Sequence, residues 1–307
     1  MTLALRILRG FLSLWLIVTL VFVALRATGD PITAIFDPDN TPKAALEAYR
    51  QQWGYTGTVF DQYLVYISNI LHGEFGFSSM SNRDAYSVVM ERLPATLQLV
   101  GCSALLMMAI GIPVGAVAAL NSGGRLDRFV MTFSTVGFAL PNFVLGLALI
   151  LLFSVNLRLL PSNGIGTAAH LIMPVLTIGI SKAAIFTRFV RSAILDALKL
   201  TCVTSARARG VSEWQIFWHH VIPNAMLPLV TITPLLVGAM VAASAVVETV
   251  FGWPGVGRLI VESVAQRDLA VVQMIVMMIA LVMIVTNLLV DLAYSKLDPR
   301  TALAPAH

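Results

Sequence analysis

The sequence predicts an all-α, polytopic integral membrane protein with six transmembrane helices, and two observations carry this prediction. Of its 307 residues, 58% are hydrophobic and only 12% are charged, with a mean hydropathy of +0.84. Soluble domains contain about 45–50% apolar and about 25% charged residues, so this chain has too little polar surface to cover a water-soluble globule. In addition, six separate segments are long and apolar enough to cross a bilayer, which takes about 20 residues each.

The six predicted spans follow one another with polar connections between them. At the start of the first span, Arg6 and Arg9 resemble the charged region of a signal peptide, but Leu25-Arg26-Ala27 is a poor cleavage site, so a retained helix is predicted. Within the spans, away from their ends, Lys182 and Arg188 of the fourth are the only charged side chains. The predicted spans are 8–26, 95–119, 129–156, 171–190, 225–247 and 270–291.

The distribution of basic residues predicts that both termini are cytoplasmic, because loops on that side carry an excess of Lys and Arg. With this orientation, the basic residues of the inner segments are Arg6, Arg9, Arg125, Arg128, Arg188, Arg191, Lys199, Arg207, Arg209, Lys296 and Arg300. The net charge of +4 and the pI near 9.3 therefore reflect topology, and no nucleic-acid binding is predicted. The predicted organisation is an N-terminal transmembrane helix (1–28), an extracytoplasmic segment (29–94), a five-helix core (95–292) with a long cytoplasmic loop (191–224), and a cytoplasmic tail (293–307).

The cytoplasmic loop is predicted to contain two short helices. Gly210 is placed to end the first as a C′ glycine, and Ser212 with Gln215 forms a capping box that begins the second. Pro223 is expected to prevent this second helix from continuing. One apolar face of the helix, at i, i+3, i+4 and i+7, would consist of Trp214, Phe217, Trp218 and Val221. Such a face fits either the lipid headgroups or a groove on a partner protein.

Several chemistries are disfavoured by what the sequence lacks. The four lysines follow Pro42, Ser181, Leu198 and Ser295, so none belongs to a GxxxxGK[ST] phosphate loop. An ion-driven carrier would place ionisable residues in mid-membrane, where these spans offer only Lys182. Energy for any transport is therefore expected to come from a partner.

Individual residues with possible chemistry have simpler interpretations. His219 and His220 are adjacent on a helix and point about 100° apart, so no metal site is predicted there. Cys102 and Cys202 form no metal-binding or disulfide motif. Glu248 is interpreted as a solvated residue at a span end, with a contribution to an outer gate as the alternative.

A set of motifs along nearly the whole chain resembles one family of transport proteins. The run from Ser205 to Gly210, followed by Ile222–Ala225 and by Leu227-Pro228, resembles the EAA-type signature of bacterial ABC-importer permeases, closest to the dipeptide, oligopeptide and nickel group. The chain departs from that pattern at Thr201–Thr204, where the family usually has an acidic, an aromatic and a basic residue. The other matching motifs are Gly29–Pro31, Phe75–Ser78, Leu93–Thr96, Pro141–Phe143, Trp253–Gly257, Arg267-Asp268 and Leu297–Arg300.

The resemblance implies a type I permease architecture in a bacterial inner membrane, without enzymatic activity of its own. It implies a second permease subunit, two cytoplasmic ATPases that bind ATP and Mg²⁺, an extracytoplasmic solute-binding protein, and no cofactor on this chain. Peptides are the expected substrate, with nickel or another small solute as the alternative; a partner-independent channel or carrier and a membrane enzyme are less favoured. Loop 191–224 would couple the pore to the ATPases, through Ser205, Ala206, Arg207, Gly210, Ser212, Glu213, Trp214, Phe217, Trp218, Val221 and Pro223.

Overall fold

The computed structural model describes residues 3–27, 42–44, 47 and 57–297, with side chains described for 10–23, 42–44, 47 and 57–284. Within this part the regular elements are helices, and one isolated antiparallel bridge joins Phe77 and Asp84. The predicted all-α fold is confirmed. The motif Gly29–Pro31 and the residues after Leu297, with them most of the motif Leu297–Arg300, lie outside the described residues. The chain divides into two units, 1–94 with 258–288 and 95–257 with 289–307.

The first unit contains helices α1 (Leu3–Ala27) and α2 (Val59–His72). The Thr58 hydroxyl accepts a hydrogen bond from the amide of Asp61, whose carboxylate accepts one from the amide of Thr58, so a capping box begins α2. The Thr58 hydroxyl also donates to this carboxylate at 2.6 Å, and this bond, together with the one from the Thr58 amide, lowers the pKa of the Asp61 carboxyl. Gly73, with φ of +81°, ends the helix. Phe22 of α1 packs against Tyr63 of α2 with ring centroids 5.2 Å apart.

A second contact in this unit joins two of the sequence motifs. The hydroxyl of Ser78 donates to the carboxylate of Asp268 at 2.5 Å, and both residues are buried. Asp268 precedes α11 (Leu269–Leu297), whose first turn it caps through the amide of Val271 at 3.5 Å. The bond therefore connects the turn after α2 to the beginning of the last helix.

The second unit is built around one central helix, α6 (Ala168–Leu198). It packs against α4 (Arg125–Ala139), α5 (Asn142–Leu149) and α9 (Ile222–Val250). This unit also contains most of α3 (Ala85–Leu120), together with α7 (Thr201–Ala208) and α8 (Glu213–Ile216). Helix α10 (Val256–Ala265) lies mostly in the first unit.

Glycines allow α3 and α6 to approach closely. A Cβ at Gly115 would lie 2.7 Å from the carbonyl oxygen of Thr187 and from Cβ of Val190. A Cβ at Gly179 would lie 2.7 Å from Cδ2 of Leu106. Small residues permit such contacts between membrane helices, where packing rather than water exclusion drives association.

The predicted spans correspond to helices in the structure, with one difference. In the described part, three helical segments are long and apolar enough to cross a membrane, namely α3, α6 and the continuous stretch Glu213–Val250. The third predicted span, 129–156, is instead two helical pieces, Arg125–Ala139 and Asn142–Asn156, bent by 97°. The break lies at Leu140, whose ψ of 121° is extended, as the steric demand of a following proline requires. The first and sixth predicted spans lie in α1 and α11, whose apolar parts with described side chains are Gly10–Val23 and Leu269–Ile284.

Candidate functional site

Helices α7 and α8 meet at Gly210 and form, with the residues up to Val221, a compact segment called here the 201–221 turn. The amide of Gly210 donates to the carbonyl of Arg207 at 3.0 Å, and that of Val211 to Ala206 at 3.2 Å. This pair of bonds is a Schellman motif, which needs a left-handed residue at the position of Gly210. Its φ is +78°, so the predicted C′ glycine is confirmed.

Ser212 begins α8, as predicted. Its hydroxyl accepts a hydrogen bond from the amide of Gln215 at 3.4 Å, and its carbonyl accepts one from Ile216 at 2.9 Å. The side chain of Gln215 was predicted to bond the Ser212 amide; instead its oxygen accepts a hydrogen bond from the Ser212 hydroxyl at 3.1 Å. The Ser212 hydroxyl thus accepts one hydrogen bond as the helix cap and donates another to the Gln215 side chain.

An ion pair crosses the turn and joins its two helices. The guanidinium of Arg207 on α7 binds both carboxylate oxygens of Glu213 on α8, at 2.6 and 2.9 Å. Both side chains are largely exposed, so this pair contributes orientation more than stability. Two of the predicted site residues, from different helices, are therefore in direct contact.

The predicted single apolar face is wrong at its last member, Val221, whereas the rings of its three aromatic members form a contiguous group. Trp214 and Trp218 are 72% and 48% exposed, with ring centroids 5.5 Å apart. Val221 is fully buried, and Phe217 is partly buried against the core of the second unit. The reason is a π-helical turn at Phe217–Val221, whose wider spacing moves Val221 away from the position that a 3.6-residue period would give it.

The interior side of the 201–221 turn contains residues that the sequence analysis did not assign to any face. Val203 and Ile216 are fully buried, as is the predicted site residue Ala206. They belong to the same hydrophobic core as α6 and α9. Ser205 is exposed on the opposite side of α7. The turn is therefore fixed to the helical core on one side and presents two tryptophans on the other.

The expected helix end at Pro223 is also wrong. The helix continues from Glu213 to Val250, with Pro223 in the first turn of α9. Proline has no N–H, so it removes one bond of a regular helix. The π-helical turn just before it accommodates this loss, with the amide of Ile222 bonded to the carbonyl of Phe217. The side-chain amide of Asn224 also donates to the carbonyl of His220, at 2.7 Å.

At the far end of this long helix lies a group of buried contacts that the sequence analysis missed. Glu248 is fully buried, so its interpretation as a solvated boundary residue is wrong. Its carboxylate accepts a hydrogen bond from the Thr96 hydroxyl at 2.8 Å, and that hydroxyl accepts one from the amide of Val256 at 2.8 Å. The indole of Trp253 donates to the carbonyl of Ala95 at 2.9 Å. Thr96, Glu248 and residues 253–257 are called here the Glu248 cluster.

The glycines of the Trp253–Gly257 motif leave the space that the Glu248 side chain occupies. A Cβ at Gly255 would overlap the carboxylate of Glu248. A Cβ at Gly257 would lie 2.5 Å from Cα of Ala245. The glycines of this motif, close in sequence to an acidic residue, were the available signal that the segment folds back onto that residue.

A third polar contact connects α4 to α6 shortly before the 201–221 turn. The carboxylate of Asp127 accepts two hydrogen bonds from the guanidinium of Arg191, at 2.5 and 2.7 Å, and a third from the amide of Gly123 at 2.9 Å. Asp127 is only 3% exposed. The predicted topology puts Asp127 and Arg191 on the same side of the membrane, but no sequence pattern indicates that they form an ion pair.

Helices that can cross a membrane, arranged around α6 with a capped turn at one end of a continuous helix, define a polytopic membrane protein. Residues 111–303 match the family described as "Binding-protein-dependent transport system inner membrane component". The chain belongs to this family. It is therefore a multi-pass inner-membrane component of an ABC importer and a transport subunit rather than an enzyme. Its family implies an ATPase, a binding protein and a second permease as partners.

Individual relatives cover almost the whole chain. It is 38% identical over 288 residues to the glutathione transport system permease protein GsiC of Escherichia coli, covering 94% of each. It is 36% identical over 296 residues to the oligopeptide transport system permease protein AppB of Bacillus subtilis, covering 92% of this chain and 93% of that protein.

Solved structures share the fold at low sequence identity. The inward-facing MetNI methionine ABC transporter matches with a TM-score of 0.60 and 18% identity, over 69% of this chain and 97% of that chain. A second structure, of an amino acid ABC transporter, has a TM-score of 0.53 at 19% identity, over 69% and 94% of the two chains. The type I permease fold inferred from the motifs is thus confirmed.

Proposed function

We propose that this chain is the pore-forming permease subunit of an importer that carries di- or oligopeptides across the inner membrane. The two relatives named above support peptides as the substrate class, since glutathione is itself a tripeptide. Import of nickel or another small solute by the same machinery is the second candidate. Its support is the motif resemblance alone, so peptides are favoured.

The 201–221 turn is proposed to dock on a cytoplasmic ATPase. The observation that carries this role is the pair Trp214 and Trp218, which stay exposed on a turn whose other side is buried in the core. Tryptophans are frequent anchors in protein interfaces. A turn held by a Schellman motif and by the Arg207–Glu213 ion pair loses little freedom when it binds.

The full importer is proposed to contain two ATPases that bind ATP and Mg²⁺, a second, homologous permease and an extracytoplasmic solute-binding protein. Both termini of this chain would be cytoplasmic. The basic residues on the side of the 201–221 turn, such as Arg191, Lys199 and Arg209, support this orientation.

The docking role is tested with Trp214→Asp in the complete importer reconstituted in liposomes. Loss of an anchoring tryptophan costs about 2 kcal/mol or more, which is roughly 30-fold in affinity. We expect ATP-driven uptake to fall by about tenfold or more, while the variant still inserts and its ATPases still hydrolyse ATP. The matched control is Ser122→Asp, an exposed position in the turn before α4 and outside the 201–221 turn, where an acid near a helix N-terminus is tolerated. Unchanged uptake by Trp214→Asp would show that the turn does not dock there.

The substrate is tested in the same liposomes by comparing ATP-dependent uptake of a labelled tripeptide with uptake of Ni²⁺. Peptide uptake that requires both ATP and the binding protein would support the proposal. Uptake of Ni²⁺ alone would replace peptides by the second candidate. Flux through liposomes that contain this chain without its partners would instead indicate an autonomous channel or carrier.

A further inference from the structure

Lys182 lies near the middle of a membrane-spanning helix and has no role in the contacts described so far. In the predicted span 171–190 it is 11 residues from one end and 8 from the other. At roughly 1.5 Å per residue, these separations are about 16 and 12 Å. A lysine side chain reaches only about 6 Å beyond its backbone, so its ammonium cannot snorkel fully to either membrane surface.

The Lys182 ammonium is not neutralised within its own unit. In the part of the chain that the structure describes, no hydrogen bond or ion pair reaches it. Its neighbours Ser181 and Ala183 are buried, whereas Lys182 retains partial exposure. A cation in mid-membrane is costly unless it meets water or an opposite charge.

The helix that carries Lys182 has several helices of its own unit packed against it, which makes bulk lipid a poor explanation for the exposure of Lys182. Helices α4, α5 and α9 pack against α6, and Gly111 of α3 contacts Phe186, one turn from Lys182. Ile178, one turn before Lys182, is fully buried. Ile180 is also exposed. It lies on the other side of α6, because residues two positions apart in an α-helix are separated by about 200° around its axis.

We infer that Lys182 lines the water-filled translocation path and binds a carboxylate of the passing substrate. A charge in mid-membrane that faces such a path typically marks the route of a substrate or ion. Every peptide with a free C-terminus carries a carboxylate, the group that an ammonium binds best among those common to all peptides. This inference rests on the proposed peptide import for the identity of the ligand, but the water-filled path does not depend on it.

The test places a cysteine at position 182 of a chain whose own cysteines are replaced, Cys102→Ala and Cys202→Ala. The complete importer is reconstituted and treated with 2-aminoethyl or 2-sulfonatoethyl methanethiosulfonate. Both reagents react with thiols that water reaches; the first attaches a cation of nearly the length of lysine, and the second an anion. Ile180→Cys in the same background is the matched control.

We expect Lys182→Cys to lower tripeptide uptake by about tenfold, the loss typical of one charge-assisted contact. The aminoethyl reagent should restore uptake and the sulfonatoethyl reagent should not. Lys182→Cys should also react about tenfold or more faster than Ile180→Cys, because only the first is expected to face water. Because the same folded protein is measured before and after modification, a folding defect cannot imitate the rescue.

Three results would overturn the inference: full uptake by Lys182→Cys, equal rescue by both reagents, or no faster reaction than at Ile180→Cys. Failure of the proposed function looks different. If the wild-type importer carries no peptide but position 182 reacts rapidly, the water-filled path stands and peptide import is wrong. If peptides are carried and position 182 does not react, the role of Lys182 is wrong and peptide import stands.

Discussion

Replacing Thr96 with Val removes the central hydroxyl of the Glu248 cluster and keeps the shape of the side chain. The hydroxyl donates to the carboxylate of Glu248 and accepts from the amide of Val256, each at 2.8 Å. Thr96 is 5% exposed and Glu248 fully buried, so water cannot readily replace either bond. The substitution therefore deprives a buried carboxylate of a donor and a buried amide of its acceptor.

Two different estimates can be made of how much Thr96→Val lowers the free energy of unfolding. Hydrogen bonds between membrane helices contribute on average only about 0.6 kcal/mol, because the unfolded chain in the bilayer also finds partners. A typical hydrogen bond contributes about 0.5–1.5 kcal/mol, and a buried amide left without an acceptor costs about 1–3 kcal/mol. The second estimate applies better here, because the cluster is closed by a turn after α9 and not by helix-to-helix contact alone. We expect Thr96→Val to lower the free energy of unfolding by about 2–4 kcal/mol.

The measurement is reversible unfolding of the purified chain in mixed micelles by titration with sodium dodecyl sulfate. Thr96→Ser should recover most of the lost stability, since it keeps the hydroxyl. The matched control is Thr135→Val, because the Thr135 hydroxyl bonds only the carbonyl of Met131 in its own helix and is exposed. A loss below about 0.6 kcal/mol at Thr96, or a loss equal to that at Thr135, would refute the reasoning.

Two further predictions use the same measurement. Asp127→Asn should lower the free energy of unfolding by about 1.5–3 kcal/mol. Adding Arg191→Met should lower it little further, because the bidentate ion pair is already broken. Fully additive losses in the double variant would contradict an interaction between Asp127 and Arg191. Gly115→Ala should lower the free energy of unfolding by about 1–3 kcal/mol, since the new Cβ would lie 2.7 Å from Cβ of Val190. Gly101→Ala is the control and should cost less, because no atom lies within 4 Å of its new Cβ. Equal losses of stability would contradict the close approach of α3 and α6.

The sequence predicted the features that depend on composition and on local backbone chemistry. The apolar segments gave the helical class, because hydrocarbon thickness alone sets their length. Gly210 and Ser212 were assigned correctly, because a left-handed residue and a capping hydroxyl act on their immediate neighbours. These features need no knowledge of the tertiary structure.

The errors concern residues whose environment comes from distant parts of the chain. Glu248 looks solvated in sequence, and only the fold brings Thr96, 152 residues away, into contact with it. The pairing of Asp127 with Arg191 is likewise set by the packing of α4 on α6. Val221 was assigned to the wrong side because a regular period was applied across a π-helical turn. Local periodicity cannot reveal such a turn.

Because the helix continues through Pro223, the 201–221 turn and the Glu248 cluster belong to one connected element. The stretch Glu213–Val250 has 38 residues, or about 57 Å at roughly 1.5 Å per residue, and carries Trp214 at one end and Glu248 at the other. Ile216 is buried in the core that α6 and α9 share, so the turn cannot move without displacing these helices. A break at Pro223 would have separated the proposed docking turn from the rest of α9. The π-helical turn preserves the connection, and a force applied at the tryptophans is therefore expected to reach the far end of α9.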